Sequence, residues 1–255
     1  MPRYFLELAY VGTNYSGFQV QQNANTIQAE VTRALNTFYR TDFELTGSSR
    51  TDAGVHARQN FFHFDTNLEI QKTQIYNLNS LLPHDIVIKN ILVVQPDAHC
   101  RFDAISRTYY YYITRTKNPF LHETAYYYPY TLDTELLQSL AAFLRGRKDF
   151  SSFSKRKTQV NHFNCSVEFS RWVFEKDVWR YEIRADRFLR GMVKGLVGTM
   201  LLLAKNNQGT EDMQKIFASQ DCNTADFSAP SKGLFLIEVK FAPQFFIDLK
   251  ADGTV

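Results

Sequence analysis

From Arg3 to Val94 the apolar residues change their spacing in a fixed order, and the order limits the folds open to the chain. Arg3 to Tyr10 is rich in β-formers and runs into a Gly, Asn and Ser stretch from Val11 to Gly17, a strand followed by its loop. Ile27, Val31, Leu35 and Phe38 recur at helical spacing behind Asn25, which can cap a helix while Gln28 reaches back. Phe43 to Thr46 and Gln59 to Asp65 read as short strands. Ile75, Leu78 and Leu81-Leu82 mark a second helix that Pro83 ends, and Ile86 to Val94 is a nearly continuous apolar strand closed by Pro96. The order β-α-β-β-α-β is the split pattern of ferredoxin-like folds.

The second half repeats that order. Ser106 to Thr116 is a strand, and Asp133 to Leu144 a helix with Leu136, Leu137, Leu140 and Leu144 inward. Asn164 to Glu175 and Val178 to Ala185 pair as strands, Phe188 to Lys205 is a long helix, and Leu234 to Phe241 closes the set, with an added helix at Thr210 to Ser219. The expectation is an α+β protein of two tandem ferredoxin-like or RRM-like units with antiparallel sheets, an N-terminal domain over 1–100 and a C-terminal one over 101–255. A cleft between two such sheets is a natural binding site.

A net charge of +3 does not by itself announce a nucleic-acid binder, so the placement of charge decides. Arg145, Arg147 and Lys148, then Lys155-Arg156-Lys157, then Arg184, Arg187, Arg190 and Lys194 concentrate positive charge in the second half, where a phosphate backbone can run. The bland reading of such runs is a solvated loop. The many Phe and Tyr fill cores and sheets first, and a surplus on one face can stack bases. Cys100, Cys165 and Cys222 are odd in number and lack a Cys-x-x-Cys pair, which disfavours a disulfide framework and a tetrahedral zinc site. The strand pattern begins almost at Met1, leaving no room for a signal peptide, and no apolar run is long enough to span a bilayer. These features predict a cytoplasmic protein.

The chemistry concentrates in one loop, Gly47-Ser48-Ser49-Arg50-Thr51-Asp52-Ala53-Gly54-Val55-His56-Ala57, between two predicted strands. Two glycines, small residues and one carboxylate flanked by Arg50 and His56 can carry Asp52 on a tight turn beside a ligand. The alternative is an ordinary polar hairpin loop. Arg107-Thr108-Tyr109-Tyr110-Tyr111 places Tyr109 and Tyr111 on one face of a strand, Tyr110 and Tyr112 on the other. No ligand cluster or dinucleotide loop stands at credible spacing, so no metal or organic cofactor is expected; His162 and Cys165 have no companions nearby.

Arg50-Thr51-Asp52-Ala53-Gly54-Val55-His56-Ala57 resembles the signature of the TruA family of tRNA pseudouridine synthases, and the likeness extends over nearly the whole chain. Tyr10 to Gln19 resembles the family's opening motif, with Val11 and Phe18 where Asp and Trp are expected. Ser48-Ser49 stand where a small residue and a glycine are expected. The resemblance implies that Asp52 is the catalytic nucleophile or base, that Tyr109 packs on the target base, and that Lys194, where many relatives have arginine, pairs with the aspartate. Lysine supplies one compact charge in place of a guanidinium fork, so a bidentate pair is excluded. Arg50, His99, Arg101, Phe102, Arg190, Lys155, Arg156 and Lys157 are the candidate RNA contacts. The fold it implies is two domains around a central basic cleft. The activity it implies is isomerisation of uridine to pseudouridine in the tRNA anticodon stem-loop by a homodimer. A catalytically silent RRM-like RNA-binding protein and a nucleoside-hydrolysing enzyme are the competing readings.

Overall fold

The computed structural model describes residues 1–155 and 160–247, so Arg156 and Lys157 lie outside the described residues. The strands are β1 (Arg3–Tyr10), β2 (Thr46–Gly47), β3 (His56–Asp65), β4 (Ile86–Val94), β5 (Ala104–Thr114), β6 (Tyr126–Tyr127), β7 (Gly146–Asp149), β8 (Asn164–Phe174), β9 (Val178–Ala185) and β10 (Leu234–Phe241). The helices are α1 (Ile27–Tyr39), α2 (Ile75–Ser80), α3 (Thr134–Phe143), α4 (Met192–Lys205) and α5 (Thr210–Ser219). The architecture is mixed α+β with mostly antiparallel pairing; β6 runs parallel to β5. Two compact units divide the described chain: Met1–Ile105 with the described residues from Glu238, and Ser106–Ile237.

In the first unit the strand order is β4-β1-β3, continued by the Glu238–Phe241 part of β10, with β2 on β3. Register pairs Leu6 with Phe62 and Tyr4 with Phe64, while Phe5 pairs with His63. Alternation therefore separates two apolar layers. On one face Phe18 stacks on Phe62 at 4.5 Å and Phe43 sets its edge on Phe64 at 5.2 Å. On the other, Phe241 lies 5.2 Å from Phe5 and 5.1 Å from Phe61. Each fully buried Phe contributes about 1.5–3 kcal/mol through the water it leaves.

Several local expectations are corrected. The cap of α1 is Thr26, whose hydroxyl accepts from the Ala29 amide, and not Asn25; Gln28 accepts instead from the Val20 amide and donates to the Leu45 carbonyl. Only Thr46–Gly47 pairs in the stretch expected as a strand from Phe43, because Phe43 and Leu45 turn into the core and the Phe43 amide donates to the Asn36 side chain. Helix α2 stops at Ser80, before Leu81-Leu82. Asn79 holds the following strand, donating to the Ile88 carbonyl and accepting its amide.

In the second unit the Leu234–Ile237 part of β10 leads the order β5-β9-β8-β7. Leu137, Leu140 and Leu144 face inward from α3, but Leu136 is only half-buried, since adjacent helical residues point about 100° apart. Helix α4 begins at Met192 and not at Phe188, because Gly191 adopts a left-handed φ of 74° that a helix does not continue through. Beyond its first turn α4 is apolar nearly all round and almost wholly buried. A Cβ at Gly198 would lie 2.3 Å from the Asp226 carbonyl oxygen, so this glycine lets the chain before β10 lie directly against the helix. Among the described residues no helix is long and apolar enough to cross a membrane.

Candidate functional site

The loop between β2 and β3 is held in its shape by hydrogen bonds and close backbone packing. Asp52 to Val55 forms a β-turn in which the Val55 amide donates to the Asp52 carbonyl at 3.2 Å. Gly54, at φ 73°, takes the third position that a type II turn reserves for glycine. Chain segments far away in sequence then clamp the turn. The Phe18 amide donates to the Thr51 carbonyl at 3.1 Å, the Gly54 amide to the Tyr15 carbonyl at 3.3 Å, and the Gly12 amide to His56 Nδ1 at 3.0 Å. His56 is fully buried, and because its Nδ1 accepts, its ring proton sits on Nε2. A Cβ on Gly12 would lie 2.0 Å from the Val55 carbonyl oxygen, so only glycine fits beneath the turn.

Asp52, Ala53 and Arg50 are exposed, whereas Ser48, Ser49, Thr51 and Val55 are buried. The carboxylate and the guanidinium therefore face outward from a loop whose alternate residues are anchored. Within this unit no described side chain holds Asp52.

His99, Arg101 and Phe102 lie in the turn before β5. The Asp103 carboxylate accepts the His99 amide at 2.6 Å, and His99 Nδ1 accepts the Arg101 amide at 3.1 Å. Phe102 is 73% exposed beneath the Arg101 guanidinium, 5.5 Å from the ring centre, an arrangement able to receive a base or a sugar face. His63, His99 and Cys100 bring ligand-type atoms within 4.8 Å of one another. Their hydrogen bonds run against ligation. A metal-bound imidazole donates through its second nitrogen, but His99 Nδ1 accepts, which leaves Nε2 carrying the proton. The Cys100 thiol already meets the Thr46 carbonyl and His63 Nδ1, each at 3.2 Å. At the other candidate pair, burial pushes the Cys165 thiol up to about 12, far from a thiolate, and Arg187 donates to His162 at 3.1 Å.

His63 gives a pH signature. Burial, with smaller contributions from His99 and Arg3, lowers it to about 4, below its ordinary value of 6.5. Between those values the unfolded chain binds the proton and the folded chain does not, so stability rises with pH across this window and is lost as pH falls. We expect unfolding midpoints in urea from pH 4 to 7 to show a slope approaching ~1.4 kcal/mol per pH unit from this group. His63→Phe should flatten the slope; an unchanged slope would assign it to other groups.

In the second unit Tyr109 marks the edge of a covered face. Its strand neighbours on the same side pass from exposed Ile105 through half-buried Arg107 and Tyr109 to fully buried Tyr111 and Ile113. Tyr111 is closed in, donating to the Pro230 carbonyl at 2.8 Å beneath Gly233. The Tyr109 ring packs T-shaped with Phe188, with ring centres 4.9 Å apart and planes at 78°. Lys194 is half-buried in the first turn of α4, where it donates to Ser231 Oγ at 3.2 Å. That turn holds no acidic residue, so the lysine adds to the positive end of the helix. Arg190 is exposed, and its carbonyl accepts the Lys155 amide at 3.0 Å. The Lys155 stem lies over Gly191, where a Cβ would come 3.1 Å from its Cγ. Arg184 donates to Thr108 at 2.9 Å. Asn60 and Ser231 are not marked in the sequence, and Tyr10 only as the start of a motif, because their contacts are with partners distant in the chain.

Comparison with known proteins places the chain in a family. The chain matches the profile of the family described as tRNA pseudouridine synthase over residues 8–103 and 140–242. It is 41% identical to tRNA pseudouridine synthase A of Parabacteroides distasonis over 248 residues, covering 96% of this chain and 98% of the relative. The protein of the same name from Bacteroides thetaiotaomicron is 42% identical over 250 residues, covering 96% and 93%. That from Staphylococcus aureus strain JH1 is 35% identical over 240 residues, covering 93% and 90%. Matches of this extent, taken with a clamped loop that presents one aspartate, carry one conclusion: the chain belongs to the tRNA pseudouridine synthase family of isomerases.

Proposed function

We propose that this protein isomerises uridine to pseudouridine in the anticodon stem-loop of tRNA, with Asp52 as the catalytic carboxylate. The observation that carries the reading is the exposed Asp52 on a turn fastened from Gly12, Tyr15 and Phe18. The reaction breaks the bond from N1 of the base to the ribose and forms one from C5; C5 loses a proton and N1 gains one. It consumes no oxidant or reductant. One positioned carboxylate suffices as nucleophile or base, whereas ordinary glycoside hydrolysis uses two.

Tyr109 is the proposed platform for the target base. Removing a nucleotide from its stack costs a few kcal/mol, and one aromatic platform returns about 1–3 kcal/mol. Exposed Arg50 is suited to a phosphate or to the vacated space. Lys194 is the cation that the resemblance assigns to the aspartate. Arg101, Phe102, Arg190 and Lys155 extend the proposed RNA surface, with Arg156 and Lys157 next to Lys155 in sequence. The reading further takes the two α+β units as tandem ferredoxin-like domains around a basic cleft, and the active form as a cytoplasmic homodimer, which doubles the basic surface of a chain with net charge +3.

The test is incubation with unmodified tRNA and detection of pseudouridine by its carbodiimide adduct, with the mass of the tRNA unchanged. Adducts in the anticodon stem-loop are expected. Tight tRNA binding without adducts would favour a silent RNA-binding protein, and release of free uracil a hydrolase.

A further inference from the structure

Asn60 points from β3 into the core, fully buried, and all four hydrogen-bonding positions of its amide are used. Oδ1 accepts the Ser49 amide at 3.2 Å and the Phe61 amide at 2.9 Å. Nδ2 donates to the Ser49 carbonyl at 2.8 Å and to Tyr10 Oη at 3.2 Å. Through Ser49 this side chain takes the place of a neighbouring strand for a loop that has none there. Tyr10 Oη in turn lies 2.7 Å from Thr51 Oγ1, one residue before the proposed catalytic carboxylate. Tyr10 sits at the end of β1, where the β1–β3 register shifts between Leu8 and Tyr10. Such irregularities re-aim side chains beside functional sites.

We infer that Asn60, Tyr10 and Thr51 form a buried chain of positioning residues that sets the place of Asp52. The inference rests on Asp52 being the catalytic carboxylate. The chain is uncharged, and its tyrosine and threonine hydroxyls are buried with it, so no solvent competes for these bonds. A fully satisfied buried network admits one arrangement, and breaking one link leaves a buried partner unpaired. A carboxylate displaced by about 1 Å loses on the order of a hundredfold in rate. Asp52 has only backbone between itself and Thr51, so the last link of the chain passes directly to it.

The test compares Thr51→Val, Thr51→Ser and Tyr10→Phe, with Asp52→Asn as reference, for kcat, KM for tRNA and thermal midpoint. Thr51→Val and Tyr10→Phe are each expected to lower kcat tenfold or more with KM changed less than threefold. Thr51→Ser, which keeps the hydroxyl, should stay within about threefold of the parent. The double variant Tyr10→Phe/Thr51→Val should be no slower than the worse single variant, since both break one chain. Wild-type kcat in folded Thr51→Val and Tyr10→Phe would overturn the inference, as would losses that Thr51→Ser shares or that lie in KM alone. If Thr51→Val does not fold, Tyr10→Phe decides alone, because its ring still packs on Phe18. Inactive Asp52→Asn with fully active chain variants rejects the positioning role only; active Asp52→Asn rejects the catalytic assignment itself.

Discussion

Asp52→Asn is expected to lower turnover on the order of 10⁴-fold, the scale set by removing a nucleophile or base from a preformed site, while tRNA affinity stays within a few-fold. The substitution keeps the shape of the side chain and removes the anion. Asp52 is exposed, and no described side chain of its own unit bonds to it, so the packing of that unit does not depend on its charge. Exposed substitutions of this kind shift stability by no more than about 0.5 kcal/mol. RNA affinity comes chiefly from phosphate contacts, which this change leaves alone. Single-turnover pseudouridine formation, tRNA binding and thermal melting, measured on one preparation, separate the three effects. An Asn variant that forms product near the parent rate would remove Asp52 from catalysis.

Phe62→Ala is expected to cost about 3–5 kcal/mol, the range for deleting a buried aromatic ring. Phe62 is fully buried and stacked on Phe18, with planes 10° apart. Phe18 closes over Gly47, where a Cβ would lie 2.4 Å from its ring. Its backbone amide holds the Thr51 carbonyl. The cavity therefore opens beneath the anchor of the Asp52 loop, and activity should fall along with stability if that loop carries the chemistry. A chain of this size loses roughly 2–4 °C of melting temperature per kcal/mol, so a fall of roughly 6–20 °C is expected. Phe62→Leu should cost clearly less. A Phe62→Ala midpoint within 2 °C of the parent would mean that the neighbouring rings collapse into the space.

The periodicities carried most of the elements but not the short strands β6 and β7, which no apolar spacing marked, and the structure shows why some boundaries were legible. β1, β4, β9, β10 and α5 span the residues expected of them, since Gly, Asn, Pro and charged clusters flank each of these runs. The start of α4 was not legible: Phe188 and Leu189 continue its apolar spacing, but Phe188 packs against Tyr109 and Gly191 turns left-handed before the helix begins. Phe43 and Leu45 carry strand composition, but their backbone serves α1 instead.

The signature loop and its aspartate stand in the sequence because their residues are contiguous. The means of holding the loop do not. Gly12 meets His56, Tyr10 meets Thr51 and Asn60, and Phe18 meets Thr51, pairs separated by tens of residues that composition and spacing do not relate. By itself the sequence determined the α+β class, the family likeness and the candidate acid, because these follow from local spacing and from a continuous motif. Only the tertiary structure decided that Tyr111 is sealed while Tyr109 stays at the edge, and that Asn60 is a loop anchor and not one more polar strand residue. Burial and hydrogen-bond partners depend on what the fold brings alongside a residue, and periodicity records only which way that residue faces.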